Sequence, residues 1–160
     1  MKFFEDISVG DVFEYGRYTF TADNIKAFVT RFDPQPFHVD EAAAEHSHFG
    51  GLVASGWHTA VVWMRLMIDF RRRLDEQMMA RGEPVAVIGP ALGFRELKWP
   101  KPVYIGDTVM YKSEVTELRL SNSRPRHGLM TFCSTGVNQN GELVLSLIST
   151  TFLERRGDKA

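Results

Sequence analysis

The sequence predicts an α+β fold in which an antiparallel β-sheet wraps around one long central helix. Three observations lead there. Residues 55–80 contain no proline, and their only glycine is Gly56 at the start, so the run reads as a single helix. From Val85 onward the apolar pattern changes to the alternation expected of strands. Asn140-Gly141 then separates two apolar runs, a pair that favours the positive backbone angles of a tight hairpin turn and makes those runs antiparallel neighbours.

The elements follow in chain order. Gly10-Asp11 is a turn pair, and residues 12–20 alternate well enough to form a strand. Thr21 offers an N-cap to a short amphipathic helix in which Ile25, Phe28, Val29 and Phe32 recur at helical spacing, and Pro34 ends it. Pro34 and Pro36 bias Asp33 and Gln35 away from helical backbone, so the stretch carrying Asp33 and His38 is expected to be an irregular loop. Asp40 is placed to cap a second short helix at 41–45, before a bend at Gly50-Gly51.

In the long helix, apolar residues from Trp57 to Phe70 point in almost every direction, whereas Arg71, Arg72, Arg73, Asp75 and Glu76 come later. One end is expected to be buried and the other solvated. Strands are expected at 85–103 in one or two pieces, at 108–118 after Gly106-Asp107, at 128–138 and at 143–153. Residues 120–127 read as a polar surface loop and 155–160 as a solvated tail. Five or six such strands can curl around the helix and cover its apolar circumference. One helix cannot cover both faces of the sheet, and Leu143, Val144, Leu145, Leu147 and Ile148 are almost continuously apolar, so a homodimer is expected.

The bulk composition excludes several function classes. A chain of 160 residues fits one domain, 1–160, and its 44% hydrophobic and 24% charged residues are ordinary for a globular protein. No run approaches the roughly 18 apolar residues of a membrane span, and Glu5-Asp6 interrupts any signal-peptide core, so a cytoplasmic location is expected. A net charge of −1 argues against a general nucleic-acid binder. Cys133 is the only cysteine; it excludes an internal disulfide and reads as a small buried apolar residue.

The chemistry concentrates in Asp33-Pro34-Gln35-Pro36-Phe37-His38-Val39-Asp40 and in Phe49-Gly50-Gly51-Leu52-Val53-Ala54-Ser55-Gly56-Trp57-His58. An acid and an imidazole stand close in sequence to a glycine-led helix start. Asp40 reads as a helix cap or a supporting partner of the site, and Ser55 as an N-cap, since no nucleophile elbow surrounds it. His46 and His48 match no metal-ligand spacing, so no metal site is assigned. Arg71, Arg72 and Arg73 read as a solvated helix end. Lys98, Lys101, Arg124 and Arg126 are candidates to meet a phosphate.

These residues resemble the MaoC-like dehydratase family, whose fold is the hot-dog fold and which includes the (R)-specific enoyl-CoA hydratases. The family motif of acid, two residues, proline, one residue, histidine, one residue, acid is matched by Asp33, Pro36, His38 and Asp40. Phe49, Gly51 and Ala54-Ser55-Gly56 match the start of the family's central helix. Lys98-Trp99-Pro100-Lys101-Pro102-Val103-Tyr104-Ile105-Gly106-Asp107 is similar to the strand and turn before its last three strands. The similarity runs from about Val9 to Leu153. Two departures stand out: Gln35 where the family often has asparagine, and Ser55 where it often has histidine, with Trp57 and His58 following.

The resemblance implies a hydratase or dehydratase that interconverts trans-2-enoyl and (R)-3-hydroxyacyl thioesters, with acyl-CoA as substrate and no further cofactor. In the family the acid and histidine flank one water, which implies the same for Asp33 and His38. Adding water across such a double bond needs a base, a proton for the α-carbon and stabilisation of charge on the thioester oxygen. A carboxylate and an imidazole can serve the first two. The Gly56 N–H, in the first turn of the long helix, is the candidate oxyanion donor, with Ser55 and Trp57 beside it as candidate substrate contacts. Two other functions suit the fold: a thioesterase using a carboxylate and a helix start, and an acyl-CoA-binding protein without turnover. A purely binding protein needs neither Asp33 nor His38.

Overall fold

The computed structural model describes residues 1–157. After a 3-10 turn at Phe4–Asp6 come β1 (Val12–Thr19), α1 (Ala22–Phe32), α2 (Pro36–Val39), α3 (Glu41–Glu45) and α4 (Gly56–Ala80). Strands β2 (Ile88–Lys98), β3 (Thr108–Leu120), β4 (His127–Val137) and β5 (Leu143–Glu154) are the remaining elements among the described residues. All pairings are antiparallel, and the five strands stand in the order β1-β3-β4-β5-β2. Among the described residues no helix is long and apolar enough to cross a membrane.

Local chemistry accounts for most boundaries. The Thr21 hydroxyl accepts from the Asn24 N–H at the start of α1, and Ile25 and Val29 on its inner face are fully buried. Asp40 and Ser55 cap α3 and α4 in the same way. The hairpin at Asn140-Gly141 exists but is one residue longer than the tightest turn. Only Gly141 has positive φ, at 78°, while the Asn138 N–H donates to the Glu142 carbonyl.

Five sequence expectations need correction. The first is the irregular loop around His38: Pro36 opens the one-turn helix α2, because a proline's missing N–H and fixed φ suit the first helical position. A single turn carries no hydrophobic period, so it leaves no pattern to read. The second is the strand at 85–103, of which only Ile88–Lys98 forms. Pro84 precedes it, and Pro100 and Pro102 remove ladder donors after it. This strand is an irregular edge, with register shifts along its pairing to β5 and positive φ at Gly93 and Glu96.

The third concerns the circumference of α4. Val62 and Trp63 are buried, but Trp57, Val61, Met64 and Ile68 are 52%, 49%, 51% and 40% exposed. Their spacing of four, three and four places them on one stripe, which the sheet of the same chain leaves bare. The fourth concerns the chain end. Arg155 and Arg156 are tied to the 3-10 turn, by Arg155 Nε to Glu5 at 3.1 Å and Arg156 Nη2 to Asp6 at 2.6 Å, instead of being freely solvated. Residues 158–160 of that expected tail lie outside the described residues. Cys133, expected to be buried, is half-buried on β4.

His58 sits in an aromatic box, stacked on Phe28 with ring centroids 4.6 Å apart and 5.0 Å from Phe20. Its Nδ1 is buried and has no hydrogen-bond partner among the described residues. Burial pushes the imidazole down from 6.5 to about 4. Between those values the unfolded chain binds a proton that the folded chain does not, so stability is lost as pH falls through this window. Replacing His58 with leucine is expected to flatten the dependence of Tm on pH between about 6.5 and 4. Calorimetric melting across that range checks it, and an unchanged slope contradicts it.

Candidate active site

Asp33 and His38 are brought together by the two prolines between them. Asp33 terminates α1, donating its N–H to the Val29 carbonyl at 2.9 Å, and the chain then turns so that the Gln35 N–H reaches the Asp33 carbonyl at 2.8 Å. Pro36 restarts the helix, and one turn later His38 points back toward the acid. The His38 Nε2 atom lies 3.5 Å from Asp33 Oδ2.

The other ring nitrogen fixes the tautomer. His38 Nδ1 lies 2.8 Å from the Val53 carbonyl oxygen, which can only accept. Nδ1 therefore carries a hydrogen, and in the neutral ring Nε2 presents its lone pair to Asp33. Asp33 Oδ1 is occupied by the Gln35 amide at 2.8 Å, which leaves Oδ2 facing the imidazole. Burial of Asp33 raises its carboxyl pKa, but the Ser55 hydroxyl and the Gln35 amide, with the charge of His38 whenever that ring is protonated, together lower it further. The net pKa lies below the ordinary carboxylate value. Asp33 is thus ionised at neutral pH.

The start of α4 forms the adjoining wall. The Ala54 N–H donates to the Val103 carbonyl at 2.8 Å and Val53 bridges to Tyr104, so residues just before the helix are pinned to the segment after β2. Ser55 is fully buried, and its Oγ accepts from the Trp57 N–H at 3.2 Å. The His58 and Thr59 N–H groups go to the Ser55 carbonyl. Among the described residues the Gly56 N–H has no protein acceptor, as expected of an amide in the first turn of a helix.

A cavity of about 460 Å³ joins these groups. Asp33, His38, Ser55, Gly56 and Trp57 all line it, as does Lys101 among the basic candidates. Asp40 does not; its Oδ1 accepts from the Ala43 N–H at 2.7 Å, the helix-cap reading of this residue. Lys98, Arg124 and Arg126 are also absent from the lining, and the Arg124 guanidinium lies 4.5 Å from the Phe152 ring centre. Two contributors escaped the sequence reading. The Val53 carbonyl has no side-chain signature at all, while Trp99 was visible only as part of a similar run.

The chain as a whole is similar to known proteins. A family described as the MaoC like domain matches residues 7–137. The uncharacterized protein YdeM of Bacillus subtilis is 35% identical over 135 residues, covering 84% of this chain and 86% of that protein. A mesaconyl-CoA hydratase of Cereibacter sphaeroides is 38% identical over 69 residues, which are 43% of this chain and 20% of that protein. The crystal structure of a MaoC-like dehydratase from Rhodospirillum rubrum superposes with a TM-score of 0.81 at 39% identity, covering 98% of this chain and 99% of that one. With the helix-wrapping sheet and the match across most of its length, this chain belongs to the MaoC-like dehydratase family and has the hot-dog fold.

Proposed function

We propose that the protein is a hydro-lyase that interconverts trans-2-enoyl and (R)-3-hydroxyacyl thioesters linked to coenzyme A. The observation that carries this reading is the facing pair, Asp33 Oδ2 and His38 Nε2 at 3.5 Å, in one cavity with Gly56. Two acceptors cannot bond to each other, but one water can donate a hydrogen to each. Family membership and the similarity to a mesaconyl-CoA hydratase of Cereibacter sphaeroides favour an enoyl-CoA substrate.

In the proposed reaction the thioester carbonyl accepts from the Gly56 N–H, helped by the partial positive charge at the start of α4. The water oxygen bonds to C3, and the π electrons move onto C2 and the thioester oxygen. One hydrogen of the water passes to the Asp33–His38 pair, and a proton from the pair completes C2. The balance closes with water and acyl thioester alone. An assay with crotonyl-CoA and a thiol reagent tests it: loss of enoyl absorbance without free thiol is expected. Thiol release indicates hydrolysis instead, and the absence of both signals contradicts turnover of this substrate class.

We further propose that the active form is a homodimer. The bare stripe of α4 and the edge strand β2, with Leu92 and Phe94 exposed, flank a second, apolar cavity of about 440 Å³. A second copy seated there satisfies the open strand edge and buries the stripe together. Light scattering is expected to give twice the chain mass, and a charge at the centre of this patch, as in Phe94→Glu or Ile68→Glu, is expected to yield monomers. A monomeric parent protein contradicts the proposal.

A further inference from the structure

Trp99 stands where the proposed reaction needs room. It follows β2 in the run Lys98-Trp99-Pro100-Lys101-Pro102, whose prolines keep the backbone out of the sheet. A Cβ built on Gly56 would lie 2.6 Å from Cε2, 2.7 Å from Cδ2 and 2.9 Å from Nε1 of Trp99. The indole therefore fills the space that a side chain at position 56 would occupy, with its N–H edge over the first turn of α4. Trp57 meets it edge-on, ring centroids 5.4 Å apart. Asp33 and His38 line the same cavity.

This placement makes Trp99 the neighbour of whatever accepts from the Gly56 amide. A thioester oxygen on that amide brings the carbonyl carbon near the ring, and C2 is bonded directly to that carbon, whereas the distal acyl chain is further bonds away. Aromatic bulk next to a reacting carbon acts by exclusion: in a fitted apolar pocket one methylene changes kcat/KM by roughly 10- to 200-fold. The three pinned contacts that hold the helix start to the segment after β2, Ala54 to Val103, Ile105 to Leu52 and the Val53 bridge to Tyr104, keep the wall near the amide.

We propose that Trp99 is a specificity-determining residue whose indole forms the wall of the acyl slot at the Gly56 amide and limits the size of the substituent on C2. The proposal rests on the hydro-lyase reading. Its test compares 2-butenoyl-CoA thioesters bearing hydrogen, methyl or ethyl on C2, with the parent protein, Trp99→Phe and Trp99→Ala, each first checked for native circular dichroism. The ratio of kcat/KM for the ethyl over the hydrogen substrate is expected to rise at least about ten-fold in Trp99→Ala and less in Trp99→Phe.

Calorimetric binding of the unreactive butyryl-CoA and 2-ethylbutyryl-CoA runs beside it and does not need turnover. Binding selectivity that shifts in Trp99→Ala, with no hydration of any substrate, upholds the wall and overturns the hydro-lyase reading. Hydration with the same ratio in all three proteins overturns the role of Trp99 alone. Failure of the parent protein to bind either saturated thioester overturns both.

Discussion

Asp33→Asn and His38→Ala are each expected to lower kcat for crotonyl-CoA by about 10²-fold or more, within the usual range for a positioned acid or base. Asparagine keeps the shape of Asp33 but presents one neutral oxygen and an NH₂ group, so it can no longer accept a proton from water. Alanine at 38 removes the imidazole that lies 3.5 Å from Asp33 and releases the Val53 carbonyl from its 2.8 Å partner. Because both groups act on one water, the double variant is expected to lose little more than either single variant. Multiplicative losses contradict a shared water, and full activity in either folded variant contradicts the assignment. Steady-state kinetics with melting curves as a control make the measurement.

Gly56→Ala is expected to be the other severe change, lowering kcat by about 10²-fold, the lower end of what loss of an oxyanion donor costs. Backbone strain is not the cause, since Gly56 is not among the positive-φ glycines. The added carbon would sit 2.6 Å from the Trp99 ring, so the indole must move and the amide loses its fitted surroundings. A rescue separates this cause from others. Trp99→Ala removes the obstacle, and the Gly56→Ala/Trp99→Ala double variant is expected to regain part of the turnover lost in Gly56→Ala. A double variant no better than the single one contradicts the steric explanation.

What the sequence made legible follows from how local each determinant is. Asp33 and His38 could be found because Pro34 and Pro36 mark a forced change of backbone direction beside them. Ser55 and Gly56 announced the start of α4 through capping chemistry, and the observed helix begins at Gly56 with Ser55 as its cap. The details that failed depend on distant partners. Whether Val61, Met64 and Ile68 are covered is decided by which surface comes to lie on them, and periodicity records only that they are apolar. Trp99 reaches Gly56 through tertiary packing between segments far apart in sequence, and a backbone acceptor such as the Val53 carbonyl is invisible to any reading of side chains. Even the one-turn helix of His38 was hidden by the prolines that revealed the site, because Pro36 starts a helix as readily as Pro34 ends one.

A crystal structure of the protein with butyryl-CoA, at a resolution that places ordered water, bears most directly on the shared-water site. The expected result is one water within hydrogen-bond distance of both Asp33 Oδ2 and His38 Nε2, on the side of C3, with the thioester oxygen accepting from the Gly56 N–H. A thioester bound elsewhere, or bound in this cavity with its carbonyl turned away from Gly56 and no water held by the pair, contradicts it.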